Sequence, residues 1–126
     1  MDSTVIVGAA APMAGPDGTN TCGVYRLEPN STEWRRLSNG LPDDMQVNVI
    51  VGRPGNASEL YAGSQLGLFK TTDGGDSWTD LSVPVDDRAI YSLMLHPDDP
   101  NIIYVGMDHT AIFKTTDGGA AWARLA

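Results

Sequence analysis

The chain has 126 residues, 41% of them apolar, and a formal charge of −8 with a pI near 4.4. That length makes one domain with a substantial core. The acidic balance excludes partners that need clustered cations, namely nucleic acid and anionic membrane surfaces. Cys22 is the only cysteine, so no disulfide forms within the chain. No apolar run approaches the ~20 residues of a membrane-spanning helix. Asp2 stands where a secretory leader would carry basic residues, so no leader is expected, and the compartment is left open.

Taken in order, Thr4 to Val7 is a β-branched run before Gly8 and reads as a strand. Residues 9–22 read as a polar loop bearing Gly and Pro. Val24 to Leu27 is the next strand, followed by a turn and a strand from Glu33 to Leu37. Asn39-Gly40 and Pro42 then turn the chain. Gln46 to Val51, Glu59 to Gly63, Gly67 to Thr71 and Ser77 to Leu81 are the next four strands. Ala89 to Leu95, Ile102 to Gly106, Ala111 to Thr115 and Ala121 to Leu125 are the last four. No segment holds a helical period over ten or more residues.

One stretch recurs. Lys70-Thr71-Thr72-Asp73-Gly74-Gly75-Asp76-Ser77-Trp78 returns 44 residues later as Lys114-Thr115-Thr116-Asp117-Gly118-Gly119-Ala120-Ala121-Trp122. The same step backwards lands on Arg26 to Trp34, a worn copy whose Leu27-Glu28-Pro29-Asn30 has lost the Asp-Gly text. A fixed period of this size with four short strands in each copy predicts an all-β fold of β-propeller blades, each of four antiparallel strands. A β-sandwich also has short strands, but it does not need equal copies at a fixed offset. The blades fall at residues 1–44, 45–88 and 89–126. The first is incomplete, because nothing before Val5 supplies its first strand.

The motif Thr71-x-Asp73-x-Gly75-x-Ser77-Trp78 resembles the Asp-box, or BNR repeat, of sialidase-like, sortilin-like and photosystem-assembly-factor-like propellers. Thr115-x-Asp117-x-Gly119-x-Ala121-Trp122 matches it except at Ala121. The resemblance covers nearly the whole chain and specifies fold far better than function. The residues themselves read structurally. Asp in a tight turn accepts backbone N–H bonds. Gly75 and Gly119 take positive φ without Cβ strain. Trp78 and Trp122 begin the outer strand and bury a large apolar face. Because Asp73 and Asp117 recur at the same turn, they read as turn staples; an active site is built once, from different residues.

Ligand candidates therefore fall on the opposite end, in the second-to-third strand turns and the links between blades. They are Asp17, Asn20, Asp43, Asp44, Gln65, Asp86, Asp87, Arg88, Asp108 and His109. Asp108-His109 lacks a second histidine on the same face, since His96 lies at the other end, so no metal is expected. Asp43-Asp44 and Asp86-Asp87 recur near the repeat offset and read as links, not as a catalytic dyad. A sialidase would need an arginine cluster and a tyrosine nucleophile with an acidic partner. None of Arg26, Arg35, Arg36, Arg53, Arg88 and Arg124 matches that pattern. No phosphate-binding Gly motif is present, so no cofactor is expected.

Fewer than three periods fit in the chain, whereas closed propellers have 4–8 blades. The expectation is a homo-oligomer, most simply two chains giving six blades, or else a fragment of a larger propeller. The functional expectation is a non-enzymatic binding or scaffold module for a glycan or a protein. The alternative is the remnant of a sialidase or other glycoside hydrolase.

Overall fold

The computed structural model describes residues 5–14, 20–30, 32–37, 39–42, 45–84, 89–107 and 111–125. The strands in chain order are β1 (Val5–Ala14), β2 (Asn20–Leu27), β3 (Trp34–Leu37), β4 (Val47–Arg53), β5 (Asn56–Ser64), β6 (Gly67–Thr71), β7 (Thr79–Asp80), β8 (Ile90–Leu95), β9 (Ile103–Met107), β10 (Ile112–Thr115) and β11 (Ala123–Arg124). They form three antiparallel sheets in the orders β1-β2-β3, β4-β5-β6-β7 and β8-β9-β10-β11. Each is a meander of neighbours joined by short turns, which is the arrangement that short strands separated by Gly, Pro, Asn and Asp favour.

Strand boundaries depart from the sequence reading in three places, one of them the β4–β5 hairpin, where the strands reach Arg53 and start again at Asn56. Residues 9–14 and 20–22 are strand, not loop. β1 runs on to Ala14 and pairs with β2 from Asn20, with a register shift between Ala9 and Met13. Small residues have little intrinsic strand preference, and here the pairing partner decides. The outer strands β7 and β11 are only two residues long, and Trp78 and Trp122 precede them.

Register makes the copies equivalent residue by residue. Ile6 pairs with Arg26, Tyr61 with Lys70, and Tyr104 with Lys114. Gly8 pairs with Val24, Gly63 with Leu68, and Gly106 with Ile112. The sheets stack face to face, and apolar residues alternating along each strand fill the two seams. The first seam joins Val24, Leu37, Leu41 and Met45 to Leu60, Phe69 and Trp78 of the second sheet. The second joins Tyr61 and Leu68 to Ile90, Ile103, Val105 and Phe113 of the third. At its centre Gly63 lies under Ile90, where an added Cβ would come within 2.7 Å of the isoleucine Cγ2.

Candidate functional site

The two sharp copies of the motif build the same turn. Thr71, buried at the end of β6, donates its hydroxyl to Asp73 Oδ1 at 2.6 Å. Its oxygen accepts the N–H of Asp73 at 3.3 Å and of Gly75 at 3.0 Å. The Asp73 carboxylate then accepts the N–H of Ser77 at 2.9 Å and its hydroxyl at 2.6 Å. Thr115 and Asp117 repeat this with bonds of 2.7, 3.3 and 3.0 Å, and Ala121 donates its N–H at 3.0 Å. Gly74 and Gly118 have φ of 74° and 73°, and the worn first copy keeps Asn30 at 67° in the matching position.

Bonds to the ionised form favour it. The Ser77 hydroxyl, then the Thr71 hydroxyl and the Ser77 amide, hold Asp73 down to about 2. Asp117 is also lowered, first by the Thr115 hydroxyl and then by the Ala121 amide, but position 121 has no hydroxyl to add. A carboxylate so fixed has no proton to give near neutral pH, which is what a general acid requires.

The turns also face a neighbouring sheet. Gly75 has φ 103° and sits so close to Leu37 of the preceding sheet that an added Cβ would lie 2.3 Å from its Cδ1. Gly119, also at φ 103°, meets Leu81 of the second sheet at 3.2 Å. Arg26 donates to the Gly74 carbonyl at 3.0 Å, and Trp122 Nε1 donates to the Leu81 carbonyl at 3.0 Å. Trp78 takes the Asn39 carbonyl at 3.0 Å through its N–H, and Asn39 Nδ2 donates to the Asp76 carbonyl at 3.1 Å. Asn39, early in the link between β3 and β4, thus lies against the second turn.

At the opposite end, Gln65 between β5 and β6 accepts the Gln46 N–H at 2.7 Å and ties the turn to the incoming link. Asn20 begins β2. Asp17, Asp43, Asp44, Asp86, Asp87, Arg88, Asp108 and His109 lie outside the described residues. His96 Nδ1 accepts the N–H groups of Asp98 and Asp99 at 3.1 and 3.0 Å and shapes the β8–β9 turn. Among the described residues no three His, Cys, Asp or Glu side chains gather, and no helix is long and apolar enough to cross a membrane.

One polar cluster escaped the sequence reading. Tyr61 donates its hydroxyl to Glu59 Oε2 at 2.6 Å, and Arg53 Nε reaches the same oxygen at 3.0 Å. The Arg53 guanidinium also donates to the carbonyls of Pro100 at 2.9 Å and His96 at 3.4 Å in the third sheet. This is a tyrosine with an acid and an arginine, but its chemistry runs against nucleophilic attack. Burial, and then the bond to Glu59, push the Tyr61 hydroxyl up to about 12, and its ring is fully buried. Burial alone would raise the Glu59 carboxyl, but bonds from Tyr61 and Arg53 outweigh it and hold it below its ordinary range. The cluster ties the second sheet to the third. Glu59-x-Tyr61 places both side chains on one strand face, which was the available signal. Arg53 and Glu59 have no counterparts in the other copies, so comparing copies discards them.

No protein-family model matches the chain, and no curated protein does. Solved structures do match. The GH74 xyloglucanase from Xanthomonas campestris superposes with a TM-score of 0.66 at 18% identity, over 96% of this chain and 21% of that one. YCF48 bound to D1 peptide gives 0.63 at 16% identity, over 99% of this chain and 45% of that one. YCF48 from Cyanidioschyzon merolae gives 0.58 at 14% identity, over 94% and 39%. The chain therefore spans less than half the length of these proteins, and its three sheets have the all-β, propeller-type repeat fold that GH74 enzymes and YCF48 share.

Proposed function

We propose that the chain is a non-enzymatic binding or scaffold segment of an Asp-box propeller, with blades at 1–44, 45–88 and 89–126. Further copies close it into a ring, most simply two chains giving six blades. The end away from the Asp-Gly turns meets a glycan or protein ligand through Gln65 and the neighbouring loops.

The observation that carries this reading is the use to which the carboxylates are put. Asp73 and Asp117 are bonded inside their own turns, and Glu59 is held between sheets by Arg53 and Tyr61. The peptide bound to YCF48 supports a protein ligand for this chain, and the fold of the GH74 enzymes supports a carbohydrate. That second likeness also favours a competing reading, a piece or remnant of a glycoside hydrolase whose catalytic groups lie in the remaining loops.

Fluorogenic glycosides and sialosides separate the two readings. The binding module releases no fluorophore, yet binds on a glycan array or captures peptides with the avidity of repeated sites. Turnover that disappears on Asp43→Asn or Asp86→Asn would establish the enzyme instead.

A further inference from the structure

One equivalent position in the three sheets meets two different fates. Val24, Leu68 and Ile112 hold the same place, each paired with a glycine of the preceding strand. Val24 and Leu68 are 0% exposed, because the next sheet covers them; Ile112 is 41% exposed. The rest of that face follows suit. Tyr61 is fully buried in the second sheet, while its counterpart Tyr104 is only half-buried in the third. Val51 opposite Tyr61 is half-buried, and Met94 opposite Tyr104 is 59% exposed. Asn48, next to Val47, donates to the Ile90 carbonyl of the following sheet at 3.1 Å. Tyr91, next to Ile90, holds that position in the third sheet and is 55% exposed. Ser92, Met94, Tyr104, Gly106 and Ile112 line an open apolar groove of about 300 Å³.

We infer that this face of the third sheet receives the first sheet of a second copy of the chain, packed as the third sheet packs on the second. The inference rests on the ring reading above and assigns its contact surface. The seam already present within the chain says what must arrive. Tyr61 and Leu68 are covered by Ile103, Val105 and Phe113 from the two middle strands of the follower. The first sheet has both of those strands: β1 and β2 pair as β9 and β10 do. It has no counterpart of β8 among the described residues, so nothing takes over Gly106 the place that Ile90 takes over Gly63, and only Ser92 Oγ of the same sheet overhangs that glycine. The first sheet packs on the second through Val24 and Leu37; Tyr25, the counterpart of Phe113, alternates to the other side and is buried in the single chain, so the contact requires its cover to move aside. Contacts of this head-to-tail kind close when the rotation permits, and two chains suffice.

Sedimentation velocity of the 126-residue chain across micromolar concentrations at ~0.15 M salt tests the assignment. Salt at that level screens the repulsion between two chains of charge −8. A mass of twice 13.4 kDa is expected. Ile112→Asp and Met94→Asp should each weaken association at least tenfold, because each buries a charge in an apolar contact. Leu66→Asp, at another exposed apolar residue, should leave it unchanged. Ile112 and Met94 are exposed in the single chain, so circular dichroism of dilute variants should match the parent and exclude misfolding. A monomeric parent would overturn both the ring and this surface. A dimer indifferent to Ile112→Asp and Met94→Asp would overturn the surface alone.

Discussion

Gly75→Ala isolates the contact between a turn and its neighbouring sheet. Two costs are expected. At φ 103° any L side chain is strained, by about 1–3 kcal/mol. In addition the new methyl would lie 2.3 Å from Leu37 Cδ1, and Leu37 is itself packed and 4% exposed, so overpacking adds about 1–3 kcal/mol. Gly119→Ala is the internal control. It has the same φ, but its nearest neighbour, Leu81, is 3.2 Å away and yields with a shift of a few tenths of an ångström. Gly75→Ala should therefore cost more than Gly119→Ala by roughly the overpacking share. Leu37→Ala alone should cost about 2–5 kcal/mol as a cavity. Combined with Gly75→Ala it should cost less than the two separately, by about 1–3 kcal/mol, because the methyl then occupies vacated space. Urea unfolding of the four variants and the parent at neutral pH measures all these terms. Equal losses for the two glycine variants, together with additivity of Gly75→Ala and Leu37→Ala within about 0.5 kcal/mol, would refute the reasoning.

The carboxylate turns make a paired prediction. Ser77→Ala should let Asp73 rise toward the ordinary range, and Ala121→Ser should lower Asp117 further, both read by NMR titration of the carboxyl carbons. Since Asp73 is depressed in the folded chain, its support is complete above about pH 4 and is lost as pH falls toward about 2; Ser77→Ala should narrow that window from below. Tyr61 has the opposite sense. Its neutral form is favoured in the folded chain, so support is lost as pH rises from about 10 through about 12. Ultraviolet titration should show a late tyrosine component that is lost in Tyr61→Phe. That variant should also lose about 1 kcal/mol at neutral pH through the bond to Glu59. Trp122→Phe gives up the bond to the Leu81 carbonyl, whereas Trp78 Nε1 is buried with no partner among the described residues. Trp122→Phe should thus cost about 1 kcal/mol more than Trp78→Phe in denaturant unfolding.

What could be read from the sequence was local and periodic. Thr71, Asp73, Gly75 and Ser77 lie within seven residues, so the bonds among them follow from turn chemistry, and the recurrence at Thr115 repeats them. Strand order followed from short connections in the same way. Contacts across a seam were hidden. Leu37 against Gly75, Arg26 on the Gly74 carbonyl and Arg53 on the Pro100 carbonyl each join residues tens of positions apart, and no local rule picks the partner. The extension of β1 beyond Gly8 was hidden for a different reason: a run of alanines with Pro12 carries no strand signal, and only the pairing of Ala9, Met13 and Ala14 on either side of it with β2 carries the strand on. Of the ligand-end residues, Gln65 gains a hydrogen-bond partner in Gln46 and Asn20 pairs with Ala14 at the start of β2; the others lie outside the described residues.

The pressing of Leu37 on Gly75 and of Leu81 on Gly119 has a direction in time. In each case the leucine belongs to the earlier part of the polypeptide. A chain emerging from the ribosome at 5–20 residues per second therefore presents the receiving surface before the turn that needs it. The order in which the surfaces are made thus matches the order in which the turns need them. Interrupted chains ending after one or two sheets should therefore hold the turns they already contain, which would give translation a ratchet and spare the nascent repeats from pairing out of order.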